Sequence, residues 1–121
     1  EKAIAAITPR TKAIVPVHLF GRAAPMKRLV EGAGGIPVLE DCAQANGGSF
    51  QGKKLGTFGA MGIFSLQLNK NMTSGEGGMV SAATPEVVRA LRLLRNQGML
   101  QQYANEVIGF NARMTAHDSV S

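Results

Sequence analysis

Four short apolar runs, each cut off by polar or glycine-rich sequence, constrain this chain more than any other feature. Ala13–Phe20 and Ile36–Cys42 are almost continuously apolar, the pattern of strands covered on both faces. Met61–Leu66 and Gly78–Ala83 are the third and fourth runs. Helix-period segments lie between and around them. Glu1–Ile7 reads as the tail of a helix, with Ile4 and Ile7 three apart. Pro25 suits a first helical position, and Met26, Leu29 and Val30 make an apolar stripe that ends at Gly32. Thr84-Pro85-Glu86 is a helix start: a capping hydroxyl, a proline, then an acid near the positive end of the dipole. Val87, Leu91 and Leu94 form its expected buried stripe and Gly98 its stop. Strands alternating with helices predict an α/β fold built on a mostly parallel sheet. Pro16 cannot donate to a ladder, so the first run is expected at a strand end or bulge.

Two long segments carry no periodicity: residues 43–59, and Asn69 to Gly78. Loops of this length in a compact domain are usually functional. In open α/β sheets ligands sit outside the carboxyl ends of the strands. Asp41 and the loops around Lys70 are the segments that could meet there. Thirteen Lys and Arg against eight Asp and Glu leave a net charge of +5, which favours anionic partners such as phosphate groups. No basic run exceeds two residues and only six aromatics are present, so a nucleic-acid surface has little support. No apolar stretch reaches membrane-span length, and no signal-peptide pattern opens the sequence. A single cysteine, Cys42, rules out an internal disulfide framework and suits a reducing, cytoplasmic setting.

Taken singly, the polar residues have ordinary readings. Asp41 closes an apolar strand, where a carboxylate can hold a protonated ring nitrogen or merely cap a helix. Gln44 offers an amide three residues on. Lys70 follows a buried strand in Ser65-Leu66-Gln67-Leu68-Asn69-Lys70, where an amine can act as nucleophile and base, although most loop lysines are simply solvated. Gly47–Lys54 nearly spells a P-loop, but Lys54 stands where a Ser or Thr must hold magnesium. Gly56, Gly59 and Gly62 precede a strand rather than open a helix, unlike a dinucleotide fingerprint. His18, Cys42 and His117 look too scattered for a metal site, and no metal is expected. Arg89, Arg92 and Arg95 read as a solvated helix face.

Together, Leu39-Glu40-Asp41-Cys42-Ala43-Gln44-Ala45, Gly59 to Phe64, Ser65 to Lys70 and Thr73-Ser74-Gly75-Glu76-Gly77-Gly78-Met79-Val80 resemble the DegT/DnrJ/EryC1/StrS family of sugar aminotransferases. Pro16–Gly21 and Gly109–Met114 extend the resemblance from about Ile4 to Thr115. It implies part of the large domain of the aspartate aminotransferase fold, with one antiparallel strand in the sheet and helices flanking it. It implies pyridoxal 5'-phosphate as cofactor, Lys70 as the residue that forms the Schiff base, Asp41 on the pyridine nitrogen and Gln44 on the ring hydroxyl. Ser65 corresponds to a phosphate ligand, and Asn111 to one given to the neighbouring subunit of a homodimer. The implied reaction moves an amino group from an amino acid, expected to be glutamate, to a keto-sugar, expected to be nucleotide-linked. Relatives with histidine at the lysine position are dehydrases, and Lys70 argues against that activity. The family is about three times longer, so residues 1–121 are expected to be a partial large domain without the family's N-terminal part and its small C-terminal domain. A non-catalytic remnant that binds pyridoxal phosphate or another phosphate-bearing ligand, or only assembles with partners, is the alternative. Asn46 stands where the family often has histidine, and Ala116–Ser121 leaves the family pattern.

Overall fold

The computed structural model describes residues 1–114. Its centre is a three-stranded sheet of β1 (Leu39–Asp41), β4 (Met61–Ser65) and β5 (Gly78–Ala82), in that spatial order. β1 and β4 run parallel and β5 is antiparallel to β4, so the sheet is mixed, as expected. The first apolar run lies parallel along the free side of β1. It is tied by single bridges, Ile14 to Val38 and Val17 to Asp41, rather than by a continuous ladder. Ile14 N–H donates to Pro37 O, Asp41 N–H to Pro16 O and His18 N–H to Asp41 O, at 2.9, 2.9 and 3.0 Å. Pro16 sits where the next N–H should point at β1, which removes one rung. The missing rung breaks this ladder into single bridges, and with this segment the sheet has four neighbouring lines of chain.

One face of the sheet carries the core. Residues alternate across a strand, so Ile14, Pro16, His18, Val38, Glu40 and Gly62 point one way. The helix α2 (Met26–Gly32) covers this face: Met26 and Leu29 pack with Ala33 and Val38, and Ile4 from α1 (Lys2–Ala5) closes the cluster. A second cluster of Cys42, Ala45 and Leu55 is lined by Phe50, Phe58 and Phe64. The opposite face is open among the described residues: Val15, Val17, Ile63 and Val80 are 42–55% exposed. The expectation of strands covered on both faces therefore holds for one face only among the described residues.

The near-P-loop sequence folds instead into the hairpin of β2 (Ser49–Phe50) and β3 (Lys53–Lys54). Gln51 and Gly52 both have positive φ, the requirement of the tight turn that matches strand twist. Lys53 lies 4.8 Å above the Phe58 ring, and Lys54 Nζ donates to Gly47 O, so neither lysine faces a phosphate cradle.

The helix α3 (Pro85–Arg95) starts where the sequence indicates: Thr84 is extended and its hydroxyl accepts from Val87 N–H at 3.4 Å. The Glu86 carboxyl is held below its usual range, first by its own backbone N–H and then by the Thr84 hydroxyl. Its three arginines are exposed, and Arg89 pairs with Glu106 at 2.6 Å. The expected stripe needs one correction. Leu93, not Leu94, is the buried leucine. The chain doubles back at Gly98, whose N–H reaches Leu93 O at 2.8 Å, whereas Leu94 lines an open groove with Leu91, Val80 and Phe110. Beyond it, β6 (Met99–Gln101) and β7 (Ala104–Asn105) form a small hairpin.

Candidate active site at the carboxyl ends of the strands

The sheet register sorts the acidic pair Glu40-Asp41 onto opposite faces. Val17, Asp41, Ile63 and Val80 are successive cross-strand partners, so Asp41 is a carboxylate in an otherwise apolar row on the open face. Ser65 lies two residues beyond Ile63 on the same face, opposite Gly78. Both are half-buried at the carboxyl ends of parallel strands. Asp41 Oδ1 accepts from Ala43 N–H at 3.0 Å, and among the described residues its other oxygen has no hydrogen bond. The Ser65 hydroxyl accepts a long bond from Gln67 N–H, 3.4 Å, and keeps its own proton available.

Lys70 stands on the loop that continues β4. The loop is closed by Leu66 N–H to Gly77 O and Ser74 N–H to Leu66 O, both 2.9 Å, and by the Thr73 hydroxyl donating to Leu66 O at 3.0 Å. Lys70 N–H donates to Gln67 O at 2.9 Å, forming a turn. Its side chain is half-buried, and its ammonium makes no hydrogen bond or ion pair among the described residues. Gln44 is exposed; its Oε1 accepts from Phe20 N–H at 3.0 Å, which leaves the amide NH2 as a free donor. The structure therefore brings Asp41, Ser65, Lys70 and Gln44 to one end of the sheet. Asn111 is on a separate segment: it bridges to Asn96 after α3, and its Oδ1 accepts from Arg113 Nε at 3.3 Å.

Sequence reasoning missed the polar group on the other face. Glu40 is fully buried and accepts four hydrogen bonds: Gly56 N–H at 2.8 Å, Phe58 N–H at 2.6 Å, Gly59 N–H at 2.9 Å and His18 Nε2 at 3.1 Å. His18 Nδ1 accepts from Ala24 N–H at 3.0 Å, which fixes the ring proton on Nε2. The spacing of Gly56, Gly59 and Gly62 serves this carboxylate. A Cβ on Gly62 would meet the Gly56 backbone, and one on Gly59 the Val38 carbonyl, so the loop can lie close enough for its N–H groups to reach Glu40. The signal was present: two consecutive acids in a buried strand cannot both face solvent.

His18 and Cys42, scattered in sequence, are adjacent in space, with ligand-type atoms of His18, Glu40 and Cys42 within 4.8 Å of one another. Close approach does not make this a metal site. Both ring nitrogens and both carboxylate oxygens are already engaged. The Cys42 thiol is pushed up to about 12, by burial first and then by the charges of Glu40 and Asp41, so it stays protonated. His117 lies outside the described residues.

An α/β sheet that carries an acid, a hydroxyl and an unpaired lysine at its carboxyl edge has the layout of a ligand-binding site. The sequence agrees: residues 1–119 match the model of the DegT/DnrJ/EryC1/StrS aminotransferase family, and the chain belongs to that family. It is 48% identical over 119 residues to UDP-N-acetyl-3-dehydro-alpha-D-glucosamine 3-aminotransferase of Acidithiobacillus ferrooxidans, covering 96% of this chain and 32% of the relative. Among solved structures it is similar to S. venezuelae DesV in complex with a ketimine intermediate, with a TM-score of 0.87, 43% identity and coverage of 92% and 31% of the two chains. It is also similar to the E. coli GDP-4-keto-6-deoxy-D-mannose-3-dehydratase with bound hydrated PLP, with a TM-score of 0.87, 27% identity and coverage of 96% and 35%. The chain spans about a third of the length of these relatives.

The residues present fit pyridoxal phosphate on their own chemistry. An unclaimed carboxylate oxygen suits a protonated ring nitrogen, an unpaired amine suits an aldehyde, and a hydroxyl suits a phosphate.

Proposed function

We propose that this chain forms part of the cofactor-binding large domain of a pyridoxal-phosphate-dependent sugar aminotransferase. The whole enzyme would take an amino group from an amino acid, glutamate by expectation, and deliver it to a nucleotide-linked keto-sugar. The observation that carries this reading is an unpaired Lys70 amine on the loop that continues β4, at the end of the sheet where Asp41 and Ser65 share the open face. Bound pyridoxal phosphate supplies an electron sink that stabilises negative charge on carbon. Lys70 would supply the amine that attaches the cofactor and would move a proton at the substrate carbon. Asp41 would hold the proton on the ring nitrogen through its free oxygen. Ser65 would donate to a phosphate oxygen, and the Gln44 NH2 to the ring hydroxyl. Asn111, away from this group, would serve the phosphate of a second copy, which makes the working enzyme a homodimer. A cytoplasmic setting fits a buried free thiol, and no described helix is long and apolar enough to cross a membrane.

Adding pyridoxal phosphate to the chain, reducing with borohydride and mapping the added mass tests this reading. Label concentrated at Lys70, and lost from that peptide in Lys70→Ala, is the expected result. Label spread evenly over all six lysines would overturn it. The third of a relative's length favours one second reading, a piece that binds the cofactor without turnover. Label at Lys70 with no amino transfer from glutamate would select it.

A further inference from the structure

Asn46 lies in neither the charged pair nor the sheet, yet it joins the two loops that carry the site. Its Nδ2 donates to Ser65 O at 2.9 Å, across nineteen residues, and its own backbone carbonyl accepts from Asn71 Nδ2 at 3.1 Å. Both partners bracket Lys70: Ser65 ends β4 just before the loop, and Asn71 follows the lysine directly. The Asn46 Oδ1 is buried and has no hydrogen-bond partner, the one such side-chain atom among the described residues. A buried acceptor without a donor is unfavourable and calls for a reason. Rotating the amide does not remove the problem, because it would set Oδ1 against the Ser65 carbonyl oxygen. The orientation is thus dictated by the need for a donor at Ser65, and the idle oxygen is its consequence.

We propose that Asn46 is a positioning residue for Lys70, fastening the lysine loop to the loop that follows Asp41. The proposal rests on the reading of Lys70 as the cofactor-attaching amine. It requires a donor at Nδ2 and no charge at the idle oxygen. Alanine removes the donor. Aspartate has almost the same shape but sets a second acceptor against Ser65 O, whereas histidine again offers one N–H donor and one neutral acceptor.

Two measurements on the full chain test it. Hydrogen exchange at the Lys70 and Ser74 amides rises about fivefold in Asn46→Ala, the effect of one net hydrogen bond. The Gly56, Phe58 and Gly59 amides held by Glu40 keep the parent's rates. Borohydride trapping of pyridoxal phosphate at Lys70, normalised to Lys53 in the same digest, falls by about the same factor in Asn46→Ala and Asn46→Asp. Asn46→His restores it to within about twofold. Parent-like exchange and trapping in Asn46→Ala, or equal trapping in the Asp and His variants, overturns the proposal. Should Asn46→Ala loosen the Glu40 amides as well, the Asp and His pair decides. A parent chain that is not trapped at Lys70 refutes the functional reading instead, and the exchange measurement still decides whether Asn46 fastens the loop.

Discussion

Glu40 and Asp41 are adjacent acids on one strand, and the pleat gives them different work. Glu40 is a buried anion with three backbone N–H donors and an imidazole N–H, while Asp41 keeps an oxygen free on the open face. Matched substitutions should separate them in urea denaturation. In Glu40→Gln an amide NH2 faces backbone donors, and hydrogen bonds to a charged acceptor are worth about 1.5–3 kcal/mol each, so a loss of about 3 kcal/mol is expected. Asp41→Asn keeps an acceptor for Ala43 N–H and should change stability by less than about 1 kcal/mol. Equal effects would mean that the burial of Glu40 is not what holds the Gly56–Gly59 loop. Cys42 gives a second prediction. Its pKa rises from 9.0 to about 12 on folding, so the folded state keeps its thiol proton where the unfolded chain has lost it. That contribution is intact below pH 9 and is lost as pH climbs towards 12, and Cys42→Ala should flatten this alkaline decline in thermal melts. Native Cys42 should also resist iodoacetamide at pH 8 and react once the chain is unfolded.

At the scale of elements, local chemistry was most legible where one residue type has one job. Thr84 followed by Pro85 and Glu86 marked the start of α3 correctly, and Thr84→Ala should lower stability by about 1 kcal/mol in the same denaturation assay. No change would mean that the 3.4 Å cap contributes nothing. Pro16 was expected at a strand end or bulge, and its missing donor interrupts the ladder to β1. Legibility failed where packing, not pattern, chose the buried side: Leu93 and Leu94 are equally apolar, and only the return of the chain at Gly98 distinguishes them. The glycines at 56, 59 and 62 had no visible purpose in a linear reading, because their purpose is a contact with a carboxylate sixteen to nineteen residues earlier.

For the whole molecule, the sheet has two unpaired outer lines among the described residues, the segment around Ile14–Val17 and β5. It also has a face on which Val15, Val17, Ile63 and Val80 stay about half exposed. Unpaired edges and open apolar faces both favour association. The isolated chain is expected to sediment as concentration-dependent oligomers, and Val80→Lys, which puts a charge on that face, should shift it towards monomer. A single monomeric species at all concentrations would count against this expectation.

The sequence by itself determined the class of the molecule. The alternation of apolar runs with helix signals requires a parallel-type α/β sheet, and the ordered blocks from Glu40 to Val80 carry the family and the candidate residues Lys70, Asp41, Gln44 and Ser65. These features are legible because each depends on neighbours a few positions away. Tertiary structure alone decided which of two adjacent acids is buried and that His18 and Cys42 meet. It also decided that Asn46 bonds to Ser65 and that one face of the sheet stays open. Each of those outcomes depends on strand register and on contacts between segments far apart in the chain, which no local pattern encodes.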